Sequence, residues 1–499
     1  RFKLIDLIQS GKKSEQIKLK NPWLCIVLFL LAAVLLGYAY YQVGWNHIDM
    51  TGKKMAVYIA MGAVATFLIF WSVSGMLLRI IMSMKKLYHR SLNAFTFRQI
   101  SSKVNTMVFS MTVICLMLFV TICALTASFS MRNSMNANLK ELCPADIELS
   151  EHLDKPCEEL DIVTECREKG FDIMPYVGEY TRFYTYGDEA LSLEVFCGSE
   201  AEKIKERFAY LDYSISEQLI GIDEYNELMK LYGKETLSLE DDEYILICDF
   251  KSMKTIRDSV LKDDGDITVY GHILHSKYSE CQDGFIDISA QHINAGIFIV
   301  PDYVLEGQSP NGDFIIGNYK AADKEGKNET ERQLRSEYTS ITGDLSGLSV
   351  HKTGGYFGLN TKIDMKNGAV GLGAIATFMG LYIGLVFLIA CGAILALKEL
   401  SESVDSIGRY EMLRKIGTEE SDISKSLFRQ TGIFFLLPLL LACVHSVFGM
   451  KFAAFFLEIF GTEKMAESIA ATSVIILLIY GGYFLITYFC SKSIIKERK

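Results

Sequence analysis

The sequence predicts an α-helical polytopic membrane protein: six transmembrane helices with a large α+β extracellular domain set among them. Three observations carry this. Six long apolar stretches hold no Asp, Glu, Lys or Arg. Lys and Arg collect in alternate loops. One connection, about 235 residues long, is strongly acidic. The 499 residues are half apolar, and the mean hydropathy is positive. Seven prolines and 38 glycines exclude a collagen-like or proline-rich chain. The net charge of -10 argues against a nucleic-acid binder. That charge is split. Residues 132–366 hold 24 Lys and Arg against 46 Asp and Glu, while the rest holds 26 against 14.

The spans are expected at about Pro22–Tyr41, Met55–Leu78, Val104–Met131, Ala369–Leu397, Thr431–Met450 and Ile469–Phe489. Each meets the roughly 20 apolar residues that a bilayer crossing needs. A helix in a soluble core would seldom stay uncharged for so long.

Lys and Arg in the short loops set the orientation. Six precede the first span (Arg1, Lys3, Lys12, Lys13, Lys18, Lys20). Six separate the second from the third (Arg79, Lys85, Lys86, Arg90, Arg98, Lys103). Six lie between the fourth and fifth (Lys398, Arg409, Arg414, Lys415, Lys425, Arg429), and four in the tail (Lys492, Lys496, Arg498, Lys499). The opposite loops hold only Lys53, Lys54, Lys451 and Lys464. Both termini are therefore expected in the cytoplasm and residues 132–366 outside. The expected divisions are a basic segment 1–21, three spans in 22–131, the outer domain 132–366, and three spans in 367–499. The first group of spans includes an interfacial helix over 85–103. Across the basic stretch Lys85–Met107, Leu92, Phe95, Ile100 and Val104 recur near helical spacing, and its basic residues would favour anionic lipid heads.

The outer block is long enough for its own core. Strand-like runs are Glu243–Phe250, Asp266–Leu274, Gly296–Val304 and Asp313–Tyr319. Helices are expected at Glu200–Leu211 and Glu217–Tyr232. The polar segment Asp323–Glu337 reads as an exposed, mobile loop.

The chemistry of an ATPase is missing at the places where it would show. The Gly-Lys pairs at Gly11, Gly52, Gly233 and Gly326 are followed by Lys13, Lys54, Glu235 and Asn328, not by the Ser or Thr of a phosphate-cradling loop. No catalytic residue, metal ligand or cofactor is expected. His445, the one ionisable residue within the spans, reads as an interfacial polar group near the outer surface. His272 and His275 are three apart in a strand-like run, so they should point to opposite faces. Six cysteines (Cys25, Cys115, Cys123, Cys391, Cys443, Cys490) read as small apolar filler in the spans. Of the six outside, Cys143, Cys157 and Cys166 cluster beside the third span, where a disulfide is open. Span four carries Gly371, Gly373, Gly380, Gly384 and Gly392, and Gly380 with Gly384 forms a small-xxx-small pair suited to close helix packing.

The loop between spans four and five is the most informative stretch. In 403–417, Val404, Ile407, Tyr410, Leu413 and Ile416 recur every three residues. Gly417 suits a C-cap, and Thr418 with Glu419 and Glu420 suits the start of the next helix. A short amphipathic helix turning into span five follows. It is either a solvated element or a docking element for a cytoplasmic partner.

The run RYEMLRKIGTEESDISKSLFRQ from Arg409 resembles the cytoplasmic loop of the FtsX-like permease family. Leu413, Arg414 and Gly417 keep its pattern, and the Arg409-Tyr410 form is similar to the bacitracin- and lantibiotic-resistance branch (BceB-like). Phe434–Ser446, with Pro438 inside a span, resembles the same branch. So does the stretch from Asp223, which contains Tyr225 and Asn226. The resemblance implies a coupling helix in which Tyr410, Leu413 and Ile416 meet a separate ATP-binding cassette subunit, itself a dimer. Arg409 or Lys415 would reach acidic groups at the rim, and Gly417 would end the helix. It implies a bacterial cell membrane location and an outer domain that recognises a peptide antibiotic or its complex with a lipid-linked precursor. Signalling to a membrane sensor histidine kinase is a further implication. Members have ten spans, so the chain is expected to lack the first four. Two alternatives stand beside this: a lipoprotein-release or macrolide-export permease, and a six-span receptor without an ATPase partner.

Overall fold

The computed structural model describes residues 21–45, 52–83, 92–198, 201–202, 205, 212–263, 265–342, 348–350, 356–461 and 464–496. Helices α1 (Pro22–Trp45), α2 (Gly52–Ser83), α3 (Asn93–Thr106) and α4 (Val108–Glu141) come first. Then follow β1 (Ile147–His152), α5 (Ile162–Glu168), β2 (Val177–Ser192), α6 (Leu193–Cys197), β3 (Ser216–Gly221) and α7 (Ile222–Leu231). Next are β4 (Glu243–Ile247), α8 (Lys251–Asp263), β5 (Ile267–Val269), β6 (His272–Ser276), β7 (Ile297–Val300) and β8 (Gly312–Tyr319). Last are α9 (Lys324–Thr342), β9 (Leu348–Val350), β10 (Tyr356–Thr361), α10 (Lys362–Asp405), α11 (Ile407–Lys415), α12 (Glu420–Phe456) and α13 (Met465–Ile495).

Among the described residues, six helices (α1, α2, α4, α10, α12, α13) are long and apolar enough to cross a membrane. The molecule is a multi-pass membrane protein with a sheet-containing domain. Large apolar side chains such as Trp23, Phe109 and Leu478 stand out from these helices, 72–74% exposed, as lipid-facing surfaces require. At about 1.5 Å per residue, α10 runs roughly 66 Å, twice the hydrocarbon thickness. By its contacts the chain falls into two compact units. One holds Arg1–Thr126, Gly380–Ala453 and Ile469–Lys499; the other holds Ala127–Met379 and Ala454–Ser468.

The first unit is a helix bundle. Met111, Ile114, Cys115 and Leu118 of α4 pack with Leu388, Cys391 and Leu395 of α10, Phe434 and Phe435 of α12, and Tyr480 of α13. Gly384 makes the α10–α4 approach possible, since a Cβ there would lie 2.8 Å from Leu125. Gly392 backs onto the Tyr483 ring. Gly380 is also buried, and Pro438 sits buried inside α12 without ending it. His445 of α12 is buried among the helices. It is 5% exposed, with Nδ1 2.5 Å from Tyr40 Oη and Nε2 3.1 Å from Thr66 Oγ1. Thr66 already donates to the Gly62 carbonyl, so its oxygen accepts from Nε2–H and Tyr40 donates to Nδ1.

The second unit is built on a ten-stranded sheet in the order β5-β6-β4-β7-β3-β2-β8-β1-β10-β9. Most neighbours are antiparallel; β3–β7 and β4–β6 are parallel. The long β2 joins its halves, pairing with β8 over Val177–Thr185 and with β3 from Tyr186 onward. Helices α5 and α9 cover one end. Phe171, Leu334 and Tyr338 pack there with Ile147, Ile315 and Phe357. Residues Glu458–Phe460 belong to this unit: Ile459 O accepts from His292 N (2.9 Å) and Phe460 O from Asn138 Nδ2 (3.0 Å).

Several expectations give way here. Asp323–Glu337 is no mobile loop but most of α9, capped by Asp323 Oδ2 accepting from Gly326 N. Its few apolar residues sufficed because Leu334 and Tyr338, four apart, share one buried face. Glu331 on that face also accepts from Tyr319 Oη (2.6 Å) and Thr361 Oγ1 (2.8 Å). The expected helix Glu217–Tyr232 starts late, because Ser216–Gly221 is a strand beside β7. The run Asp266–Leu274 is broken into β5 and β6 by Tyr270 and Gly271, both in left-handed conformation (φ 48° and 86°). The expected helix Glu200–Leu211 lies largely outside the described residues, as do 85–91 of the interfacial helix and the first 20 residues. All twelve cysteines are free: Cys143 and Cys166 are buried in two different cores, and Cys157 is in neither.

Burial pushes the Glu224 carboxyl of α7 up to about 7, from an ordinary 4.5, with Asp302 and Asp313 adding repulsion. The folded state therefore holds this proton more tightly than the unfolded chain, and stability falls as pH rises from about 4.5 through 7. Glu224→Gln removes the titration. Its thermal midpoint should gain on the parent above pH 7 and not below pH 4.5; an equal offset at both ends would refute the assignment.

Candidate functional site

The candidate site lies in the first unit, where α11 hangs between two spanning helices. Ser406 breaks α10 from α11, and the chain turns again through Ile416 and Gly417. Gly417 takes φ 86°, which only glycine adopts cheaply. Its N–H donates to Arg414 O (2.9 Å), and Thr418 N–H to Leu413 O (3.1 Å). These two bonds form a Schellman motif, which closes the helix as its sequence suggested. Helix α12 begins at Glu420, so its cap position is Glu419 rather than Thr418.

Four contacts fix α11 to the bundle. Tyr410 is 2% exposed, edge-on to Phe95 at 5.5 Å, and packs with Ile423, Leu427 and Ile495. Burial pushes its hydroxyl up to about 12. Arg409 Nη1 donates to Gln99 Oε1 of α3 (2.7 Å). Arg414 Nη2 donates to Ile495 O at the end of α13 (2.8 Å), and its Nε pairs with Glu420. A chain of polar groups continues inward. Gln430 Nε2 donates to Ser426 Oγ (3.1 Å), which meets Thr96 Oγ1 at 2.6 Å. Beside it Thr431 Oγ1 donates to the buried Glu399 (3.1 Å).

The structure thus splits the expected stripe. Tyr410 faces inward, with Leu413 half-buried beside it, and Arg409 is held by α3. None of the three presents an outer face. Ile416 does, at 77% exposed, and so does Lys415. The exposed residues of α11 are Gly408, Glu411, Met412 and Lys415, continued by Ile416. They recur at three and four residues and form one face. Sequence spacing missed Met412 because a three-residue repeat drifts around a 3.6-residue helix. Nothing in the sequence marked Gln99, Gln430 or Thr96 as partners of the loop.

The other named residues hold structure in the second unit. Tyr225 is buried under the sheet. Asn226 accepts from Leu237 N (2.8 Å) and donates to Leu237 O (2.9 Å), which pins the loop after α7. His272 lies edge-on to Tyr303, and His275 pairs with Asp266 at 2.7 Å. Among the described residues, no cluster of His, Cys, Asp or Glu is suited to a metal ion.

No family model matches the chain. A stretch of 123 residues, 25% of this chain and 18% of the relative, is 32% identical to the bacitracin export permease protein BceB of Halalkalibacterium halodurans. A stretch of 141 residues is 29% identical to the bacitracin export permease protein BceB of Bacillus subtilis, covering 28% of this chain and 21% of that protein. Another, of 136 residues, is 26% identical to the ABC transporter permease protein YxdM of Bacillus subtilis, covering 26% and 20%. The matched stretches span about a fifth of the length of these curated relatives. Over about a quarter of its length, then, this six-span chain is similar to the permease proteins of bacterial ABC transporters.

Proposed function

We propose that this chain is the membrane subunit of an ABC transporter for resistance to, and sensing of, bacitracin- or lantibiotic-like peptides. A separate ATP-binding subunit hydrolyses ATP, and this chain turns that event into movement of its sheet domain. The observation that carries the reading is α11: a short helix fixed at Tyr410, Arg409 and Arg414 and bare on its opposite side. A free helix would absorb a push; one bound at three points to α3, α12 and α13 passes it on. Met412 and Ile416 are the apolar centre of the docking face, with Glu411 and Lys415 beside them. The names of the relatives support the partner class.

The charge asymmetry of the loops supports a topology with α11 and both termini in the cytoplasm and the sheet domain outside. The acidic domain, 24 Lys and Arg against 46 Asp and Glu, favours cationic peptides, or their complexes with a lipid pyrophosphate, over the bare anionic lipid. A membrane histidine kinase that reads the state of the permease completes the sensing role.

Replacing both Met412 and Ile416 by Asp puts charges at the centre of the contact without touching the fold. Affinity for the proposed ATP-binding subunit, to be sought beside this gene, should fall by about thirtyfold, the loss of one hot spot of about 2 kcal/mol. Tyr410→Ala should act differently, lowering the stability of the chain by about 3 kcal/mol. If the double variant assembles and hydrolyses ATP as before, α11 is not the coupling element.

Cysteine labelling of intact cells checks the orientation. A cysteine at position 325 should react with a membrane-impermeant maleimide, and one at position 412 only after lysis. The reverse pattern rejects it.

Calorimetry with the full chain in detergent tests the ligand class. A cationic peptide antibiotic should bind more weakly as salt rises, because screening sets in over about 8 Å at 0.15 M. Tight, salt-insensitive binding of the free lipid pyrophosphate would refute the field argument.

A further inference from the structure

A cleft of about 430 Å³ opens in the first unit between α12 and α13. Its floor is two glycines. At Gly432 an added Cβ would first meet Phe484 at 3.9 Å, and at Gly481 it would meet nothing within 4 Å. Its wall is a ladder of rings. Phe428 meets Phe484 at 5.3 Å, Phe484 meets Phe435 at 5.7 Å, and Phe435 meets Tyr480 at 5.3 Å. Tyr480 leaves no polar group in the slot, because its hydroxyl donates to Phe435 O (2.8 Å).

The cleft lies along membrane-spanning helices, so its occupant comes from the hydrocarbon and not from water. One end differs from the rest. Arg429 lines it, exposed, with Nη1 donating to the neutral Asn93 Oδ1 (2.7 Å). Among the described residues Arg429 makes no ion pair with a carboxylate. Lys425 lies one turn earlier on the same face of α12, where it pairs with Asp422 at 3.4 Å. On α13, Tyr488 touches Phe428 at 5.2 Å, and the exposed Lys492 lies one turn beyond it. An apolar slot one ring deep therefore ends at one cation, Arg429, just before the apolar run of α12 begins, at the level where a bilayer places its phosphates.

We propose that this slot holds an acyl chain of an anionic phospholipid whose phosphate is bound by Arg429. A second helix fits less well. Phe428 and Leu477 stand out at the rim, 46% and 70% exposed, and leave a slot narrow enough for a chain. A helix seated there would also gain nothing from the cationic end unless it carried an acid at that depth. The site depends only on α12 and α13 lying in a membrane, so it stands apart from the coupling role of α11.

The test uses the full chain in phosphatidylcholine vesicles with a minor share of phosphatidylglycerol bearing a photoreactive acyl chain. Adducts, mapped by mass spectrometry, should fall on residues around Gly432 and Gly481. Arg429→Gln should lower labelling about fivefold, the fold-change of about 1 kcal/mol per basic residue at an anionic surface. Gly481→Leu should block it by filling the slot. Since an added Cβ at position 481 meets open space, that variant keeps the fold. Gly482→Leu, which also meets open space and does not line the cleft, should label like the parent. Equal labelling by a phosphatidylcholine probe, or labelling indifferent to Arg429→Gln, reduces the cleft to ordinary lipid solvation and overturns the proposal. Cross-linking from position 481 to another polypeptide segment instead of lipid assigns the slot to a helix and overturns it too.

Discussion

A bilayer offers no partner to a peptide N–H or C=O, so a chain that enters it must satisfy those groups within its own segments. Everything else in this molecule is arranged under that constraint. It forces the spans to be unbroken helices and holds even α12 continuous through Pro438. It also leaves side-chain packing as the way the helices recognise one another. Where the bundle is tightest, glycine or another small residue supplies the approach, as Gly384 does beneath Leu125. Polar side chains follow the same rule. His445 is tolerated between α1, α2 and α12 because Tyr40 and Thr66 meet both its nitrogens.

The same constraint explains why the candidate coupling element lies where it does. At the membrane boundary a helix can break, because freed carbonyls find water or a cap. Helix α11 uses that freedom at its end, in the Gly417 motif, while at Ser406 the backbone stays αR and keeps its bonds to Glu402 and Tyr410. Its attachment is then restored by side chains: one buried ring, Tyr410, and two arginines whose donors reach Gln99, Glu420 and the Ile495 carbonyl. The buried face supplies stiffness and leaves the opposite face for a partner. Rigidity on one side and exposure on the other are what a force-transmitting contact needs.

In the sheet domain water is available, and charge does more. A strongly acidic domain must keep its few cations where they matter. Arg257 is buried with Glu217 at 2.7 Å, and its Nε donates to Ala295 O. Gly296, at φ 141°, has no Cβ because that guanidinium occupies the space. Arg182 joins Asp161 and Asp313 beside the middle of β2, the strand shared by both halves of the sheet. Removing one partner of the Arg257–Glu217 pair would leave a buried charge alone, which costs far more than the pair itself contributes. The surplus of carboxylates is left at the surface, where it sets the field around the domain.

The sequence by itself determined the elements whose physics is local or one-dimensional. Six spans were legible because uncharged apolar length is a property of the chain alone. The end of α11 was legible because a left-handed turn selects glycine at position 417. Strands β4, β7 and β8 were legible from runs such as Tyr244–Ile247, buried on both faces. The tertiary structure decided what depends on neighbours distant in sequence. Helix α9 looked too polar to be ordered, because the apolar surface that receives Leu334 and Tyr338 comes from β1, β8 and β10. Ser216–Gly221 looked helical until β7 supplied a parallel partner. A three-residue repeat marked Tyr410 and Ile416 as one face. Their separation into anchor and exposed face followed only from Phe95, Ile423 and Ile495, which arrive from three other helices. Spacing names the residues that a helix presents, and which of them stay exposed is fixed by what packs against it.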